Sequence, residues 1–119
     1  MRSSAEDYLE TILLLSQKSG AVRSIDIVEE MGFSKPSVSV AMKKLREDGL
    51  INMDAEGYIE LTEKGEEVAE QVYERHSTIY NWLVGIGVSD KVAAADACRM
   101  EHILSEETFD AIKKVSKKP

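Results

Sequence analysis

The feature that most constrains this chain is a change of hydrophobic period in its middle. Up to about residue 48 apolar residues recur at helical spacing. Leu50-Ile51-Asn52-Met53 and Tyr58-Ile59-Glu60-Leu61 then read as two short strands around the turn-forming Asp54-Ala55-Glu56-Gly57, and from Thr62 the helical spacing resumes. The expectation is a mainly α fold with one small β-hairpin set between helices.

The helical segments have recognisable ends. Tyr8, Leu9, Ile12, Leu13 and Leu15 form the apolar stripe of a first helix near residues 4–18, with Ser3 or Ser4 as its cap and Gly20 as its stop. Ser24 is placed to cap a second helix, Ile25 to Met31, which Gly32-Phe33 ends because glycine accepts a left-handed backbone. A third helix opens at Ser34, tolerates Pro36 in its first turn, and carries Val38, Ala41, Met42 and Leu45 on one face as far as Asp48-Gly49. Beyond the hairpin, Thr62 caps a long helix reaching Gly87, Ser89 caps one running through Ile103, and Ser105 caps a last one ending in Lys113, Lys114, Lys117 and Lys118. Six helices and one hairpin result.

At 119 residues the chain is one compact domain or two small units, which excludes a large multidomain enzyme. Its longest aliphatic run is Ile12-Leu13-Leu14-Leu15, far below the roughly 20 residues of a membrane span, and no apolar signal segment follows Arg2, so the expected location is the cytoplasm with no membrane partner. The single Cys98 can form no intrachain disulfide and reads as core filler, reactive thiol or metal ligand.

The net charge of −7 argues against nonspecific coating of nucleic acid, yet from Phe33 to Arg46 there are four basic residues and no acid. Two short helices joined by Gly32-Phe33-Ser34, the second with a basic outer face and followed at once by a hairpin, have the order of a winged helix-turn-helix. Val38, Ala41, Met42 and Leu45 would face inward, and Ser37, Ser39, Val40, Lys43 and Lys44 outward. Lys35, Lys43, Lys44 and Arg46 would then neutralise phosphates, while Ser37 and Val40 could meet base edges and thymine methyls. Ser34 and Pro36, which open this helix, complete the candidate double-stranded DNA surface. The plainer reading is a solvated helix end whose dipole favours cations, but it leaves the order of elements unexplained.

Cys98, Glu101 and His102 stand at spacings of three and four on one expected helix, Asp7 and Glu10 repeat the i, i+3 arrangement on the first, and His76 lies midway along the long one. A carboxylate-rich set with imidazole and one thiolate suits a divalent first-row ion such as Mn(II) or Fe(II) better than a cysteine-rich zinc tetrahedron. Against this, each residue alone has an ordinary reading: Cys98 as small core residue, Asp7 and Glu10 as a solvated first turn, His76 as a surface histidine. Residue types alone leave the metal and structural readings of Cys98-x-x-Glu101-His102 evenly balanced.

The segment Asp96-Ala97-Cys98-Arg99-Met100-Glu101-His102, with Glu6-Asp7-Tyr8-Leu9-Glu10, Phe33-Ser34-Lys35-Pro36-Ser37-Val38-Ser39, Leu61-Thr62-Glu63-Lys64-Gly65 and His76, resembles the diphtheria toxin repressor and manganese transport regulator (MntR) family over nearly the whole chain. The iron-responsive branch has the thiol, Glu and His of Cys98, Glu101 and His102, but typically Met at the position of Asp7, and a second site whose Glu and His are here Tyr80 and Ala94. The manganese branch has the pattern of Asp7, Glu10, His76, Glu101 and His102, with typically Glu at the position of Cys98. The resemblance thus implies a hybrid ligand set. It also implies a homodimer joined by helices after the wing, with Val72, Ile79, Trp82, Leu83 and Ile86 as its apolar face.

The expected function is a metal-dependent transcriptional repressor controlling metal-ion homeostasis, active as a homodimer on operator DNA. Residues 1–64 would form the winged helix-turn-helix domain and 65–119 a helical metal-binding and dimerisation domain. The alternative from the same fold is a winged-helix regulator answering to an organic ligand or partner protein, with no metal switch. Nothing resembles a nucleophile-base pair or a Gly-rich phosphate loop, so no enzyme and no small-molecule substrate are expected.

Overall fold

The computed structural model describes residues 4–116. Its elements are α1 (Ser4–Ser19), β1 (Val22–Arg23), α2 (Ser24–Met31), α3 (Lys35–Glu47), β2 (Ile51–Met53), β3 (Tyr58–Leu61), α4 (Glu63–Gly85), α5 (Asp90–Met100) and α6 (Glu106–Ser116). They divide into two compact units, one running to Glu70 and the other from Gln71 onward, so the boundary falls within α4. Ser3, Lys117 and Lys118, cited above as helix-end residues, lie outside the described residues.

The first unit packs α1, α2 and α3 with an antiparallel sheet of order β1-β3-β2. Helical spacing on α1 and α3 and alternation on the strands bring one residue set inward: Leu9, Ile12, Val22, Ile27, Val38, Met42, Leu45, Ile51 and Ile59 are all buried. The sheet has three strands where the sequence suggests two. Val22-Arg23 is too short to carry a period, but it pairs with Ile59 and Tyr58, and the Arg23 guanidinium reaches the Glu56 carbonyl while lying 4.7 Å over the Tyr58 ring. That extended pair also moves the start of α2. Ser24 is already helical rather than the cap, and the Asp26 carboxylate instead accepts the Arg23 backbone N–H at 2.9 Å.

The ends of α2 and α3 follow their residues. Gly32 closes α2 at φ 72°, a conformation that costs glycine little. Phe33 leans edge-on against Tyr8 of α1 with centroids 5.9 Å apart, fixing the turn, and the Ser34 Oγ accepts the Ser37 N–H at 3.2 Å. Ser34→Ala removes that acceptor, and we expect denaturant unfolding of the first unit to register a loss of about 1 kcal/mol.

At the base of the wing the chain turns into α4 through an unusually close contact. Thr62 donates its hydroxyl to the Gly49 carbonyl at 2.7 Å and its N–H to the Leu50 carbonyl at 3.0 Å, and Thr62 Oγ1 accepts the Gly65 N–H at 3.1 Å. Thr62 is therefore the cap of α4. A Cβ built on Gly65 would fall 2.0 Å from the Leu50 carbonyl oxygen, so only glycine admits this approach.

The second unit is built by α4 from Gln71, α5 and α6 around Ile79, Leu83, Ala93, Ala97 and Phe109, all buried. Ala93 and Ala97 stand one turn apart, and their small side chains let α5 pack closely on its neighbours. Two helix ends differ from the sequence reading. α4 stops at Gly85 rather than Gly87, and α5 stops at Met100 rather than Ile103, leaving Glu101-His102-Ile103 as a turn. Ser89 holds the N-cap position of α5 through its backbone only, whereas the Ser105 Oγ accepts the Thr108 N–H at 3.1 Å and so caps α6.

Candidate nucleic-acid interface and metal centre

α3 separates its residues by face. Val38, Met42 and Leu45 are buried, while Ser34, Lys35, Pro36, Ser37, Ser39, Lys43, Lys44 and Arg46 are exposed and Val40 is 70% exposed. An aliphatic side chain this open on a helix flanked by cations fits contact with a base edge better than packing within the unit. Lys44 leans toward Asp48 at 3.4 Å, an exposed pair that solvent screens, and Arg46 extends to the Met53 sulfur of the wing at 3.8 Å. The wing is acidic: Asp54, Glu56 and Glu60 are exposed and no lysine or arginine lies between Ile51 and Leu61. Of the helix and the wing, α3 is therefore the one that presents cations.

In the second unit the sequence-predicted ligands do not share one helix face. Cys98 is exposed on α5, whereas Glu101 and His102 occupy the turn after it. That turn carries Glu101 inward: its residue is 4% exposed, the sole polar or charged residue buried among the described ones. The Glu101 Oε1 lies 2.9 Å from His76 Nδ1, 25 positions away on α4, and the Glu101 Oε2 is buried with no hydrogen-bonding partner. One ligand atom of His102 lies within 4.8 Å of one of Glu101. A carboxylate buried with one oxygen unsatisfied is costly in an apolar setting, and the cost disappears when a cation occupies the second oxygen. The 2.9 Å contact brings an imidazole nitrogen and a carboxylate oxygen side by side, so that once the proton between them is released both could face one cation. The donor set present thus fits a hard-to-borderline divalent ion.

Asp7 and Glu10 are half-buried on α1 of the first unit, one turn apart, and each has an interaction partner. Of the five residues assigned to a dimer face, Val72, Ile79 and Leu83 are buried within the single chain, Trp82 is half-buried, and Ile86 is 62% exposed. The helical spacing that marked Ile79 and Leu83 as apolar is satisfied by α5 and α6. Exposed apolar residues in this unit are Tyr73, Val84, Ile86, Val92, Ile103 and Val115. Arg75 escaped sequence reading altogether, because its partners are a backbone carbonyl and a ring far along the chain, neither of which leaves a local pattern.

Among the described residues no helix is long and apolar enough to cross a membrane. Residues 1–59 match the N-terminal DNA-binding domain of iron-dependent repressors, and residues 62–119 match their metal-binding and dimerisation domain. The chain is 38% identical to the transcriptional regulator MntR of Escherichia coli over 117 residues, covering 98% of this chain and 76% of that one. It is 34% identical to the iron-dependent repressor IdeR of Mycobacterium tuberculosis over 115 residues, covering 96% of this chain and 50% of that one. Among solved structures, that of the manganese regulator SloR superposes with a TM-score of 0.84 at 29% identity, over 100% of this chain and 56% of that one. The chain thus spans about half the length of IdeR and SloR. With its helix-turn-helix, its wing and its matches to both domains, the chain belongs to the iron-dependent repressor family of metal-dependent, DNA-binding transcriptional regulators, the family of MntR and IdeR.

Proposed function

We propose that this chain is a metal-activated repressor of metal-ion homeostasis genes, acting in the cytoplasm as a homodimer on operator DNA, with Mn(II) or Fe(II) as its effector. The observation that carries the reading is the buried Glu101 carboxylate, held by His76 through one oxygen and unsatisfied at the other, beside His102. His76, Glu101 and His102 form the centre of the ligand set, with Cys98 and, from the family resemblance, Asp7 and Glu10 of α1 as its further members. A divalent ion held there supplies the positive charge that the buried carboxylate lacks, together with directional bonds that fix its ligands. The residues themselves do the rest: His76 is oriented by Glu101, and the carboxylates set a preference for a first-row ion.

In this reading residues 1–64 bind DNA and 65–119 bind metal and dimerise. A dimer reads two half-sites only when its recognition helices have the right spacing. In this reading metal affinity and DNA affinity are linked, and each raises the other by the same factor. Ser37 and Val40 meet base edges, and Lys35, Lys43, Lys44 and Arg46 meet phosphates.

The test is fluorescence anisotropy of operator-library DNA with and without Mn(II) or anaerobic Fe(II), alongside metal titration against a chromogenic chelator. Metal-enhanced binding is expected, with Lys43→Gln lowering the slope of log K against log salt by about 0.9 and weakening all sequences alike. DNA binding that ignores both metals while the protein fails to take them up would sink the metal switch and turn attention to an organic ligand or partner protein.

A further inference from the structure

Three consecutive residues of α4 each hold a different part of the chain that follows α5. Glu74 pairs with Lys113 of α6 at 2.7 Å, Arg75 donates from Nη2 to the Leu104 carbonyl at 2.8 Å, and His76 bonds Glu101 at 2.9 Å. The Arg75 guanidinium also lies 4.9 Å over the Phe109 ring, and its Nε is buried without a partner. The turn Glu101-His102-Ile103 is thus closed at one end by His76 on Glu101 and at the other by Arg75 on Leu104. The backbone N–H groups of Glu101, His102, Ile103 and Leu104 bond back to Ala97, Arg99 and Met100 of α5, so what His76 and Arg75 add is a tie from α4 across to the turn, which sets where its side chains stand relative to α4.

We propose that Arg75 is a positioning residue for the metal centre, fixing the turn so that Glu101 and His102 present their ligand atoms toward His76. This rests on the metal-switch reading above and deepens it. Arg75 bonds a backbone carbonyl at the far end of the turn, not a ligand side chain, through its 2.8 Å hydrogen bond. It acts through the Leu104 carbonyl, and its planar fork, stacked on Phe109, holds that carbonyl in a way a flexible ammonium does less well. Partners that orient metal ligands typically alter metal affinity by about 10–100-fold when removed, and we expect the same scale here.

The experiment compares Mn(II) affinity of the folded full chain, at a temperature well below unfolding, for wild type, Arg75→Met, Arg75→Lys and Lys113→Met. Lys113→Met breaks the neighbouring Glu74 pair between the same helices and serves as the structural control. Arg75→Met should weaken Mn(II) binding roughly 10–100-fold, Arg75→Lys should recover part of it, and Lys113→Met should stay within about twofold of wild type. In the metal-free protein, nitrogen-15 spectra should show His76 in one tautomer in wild type and in a mixture in Arg75→Met. Should Arg75→Met fail to fold, Arg75→Gln replaces it, since its shorter amide cannot both stack on Phe109 and reach Leu104. Affinity unchanged by Arg75 substitution, or lowered equally by Lys113→Met, overturns the proposal. Wild type that takes up neither Mn(II) nor Fe(II) overturns the functional reading itself, and the role of Arg75 with it.

Discussion

Glu101→Gln is expected to separate folding from metal response. Glutamine is nearly isosteric, its amide oxygen can still accept from His76 Nδ1, and a neutral amide is cheaper to bury than a carboxylate with one oxygen unsatisfied. The metal-free variant should therefore keep its thermal midpoint to within a few degrees. Metal binding should fall at least about a hundredfold, because the charge that attracts a cation and the oxygen that would bond it are both gone. The readout is a thermal scan with and without Mn(II). A ligand at a hundred times its dissociation constant stabilises a folded protein by about 2.7 kcal/mol, a rise on the order of 10 °C for a chain of this size. Wild type should show that rise and the variant should not. An equal rise in both would place the ion elsewhere, and a variant that unfolds without metal would make Glu101 a structural residue.

Gly65→Ala is expected to be the most damaging small substitution in the first unit. Its methyl would sit 2.0 Å from the Leu50 carbonyl oxygen, and that oxygen is fixed because it also accepts the Thr62 N–H at 3.0 Å. The clash is with backbone, so no side-chain rotation relieves it. Either α4 moves away from the wing base, breaking the Thr62 bonds to Gly49 and Leu50, or the strand end shifts and disturbs β2. Overpacking of this kind costs typically 1–3 kcal/mol, and the loss of a cap adds about 1 kcal/mol. We expect a total loss of roughly 3 kcal/mol in urea unfolding, against the gain of about 1 kcal/mol when alanine replaces glycine in an unobstructed helix. A stabilised Gly65→Ala would overturn this account of the wing base. Because Gly65 belongs to the unit that carries α3, DNA affinity should fall in parallel with stability.

Local chemistry explains why so much of this molecule was legible. The buried face of α3 follows from the spacing of Val38, Met42 and Leu45, and the turn before it follows from Gly32 and Ser34, since each depends on residues within a few positions of one another. The same holds for Thr62 and Ser105 as caps. The candidate ligands were also easy to single out, because the scarcity of histidine and cysteine makes His76, Cys98 and His102 conspicuous.

What the sequence could not reach is decided by long-range partners. Strand β1 exists because β3 offers Val22-Arg23 a neighbour, and two residues have no period of their own. The end of α5 at Met100 places Cys98 on a helix and Glu101 in a turn, so residues that spacing set on one face serve different surroundings. Ile79 and Leu83 look on a helical wheel like a surface for a second subunit, but α5 and α6 cover them within the chain. Burial of Glu101 against His76, and the hold of Arg75 on Leu104, join positions 25 and 29 residues apart. A sequence by itself determined which stretches would be helix or strand, which faces would be apolar and which residue types could bind DNA or a metal, because those depend on near neighbours. Only the tertiary structure decided which apolar face was already taken and which carboxylate was buried with an oxygen unsatisfied, because burial is a property of what packs on a residue from elsewhere in the chain.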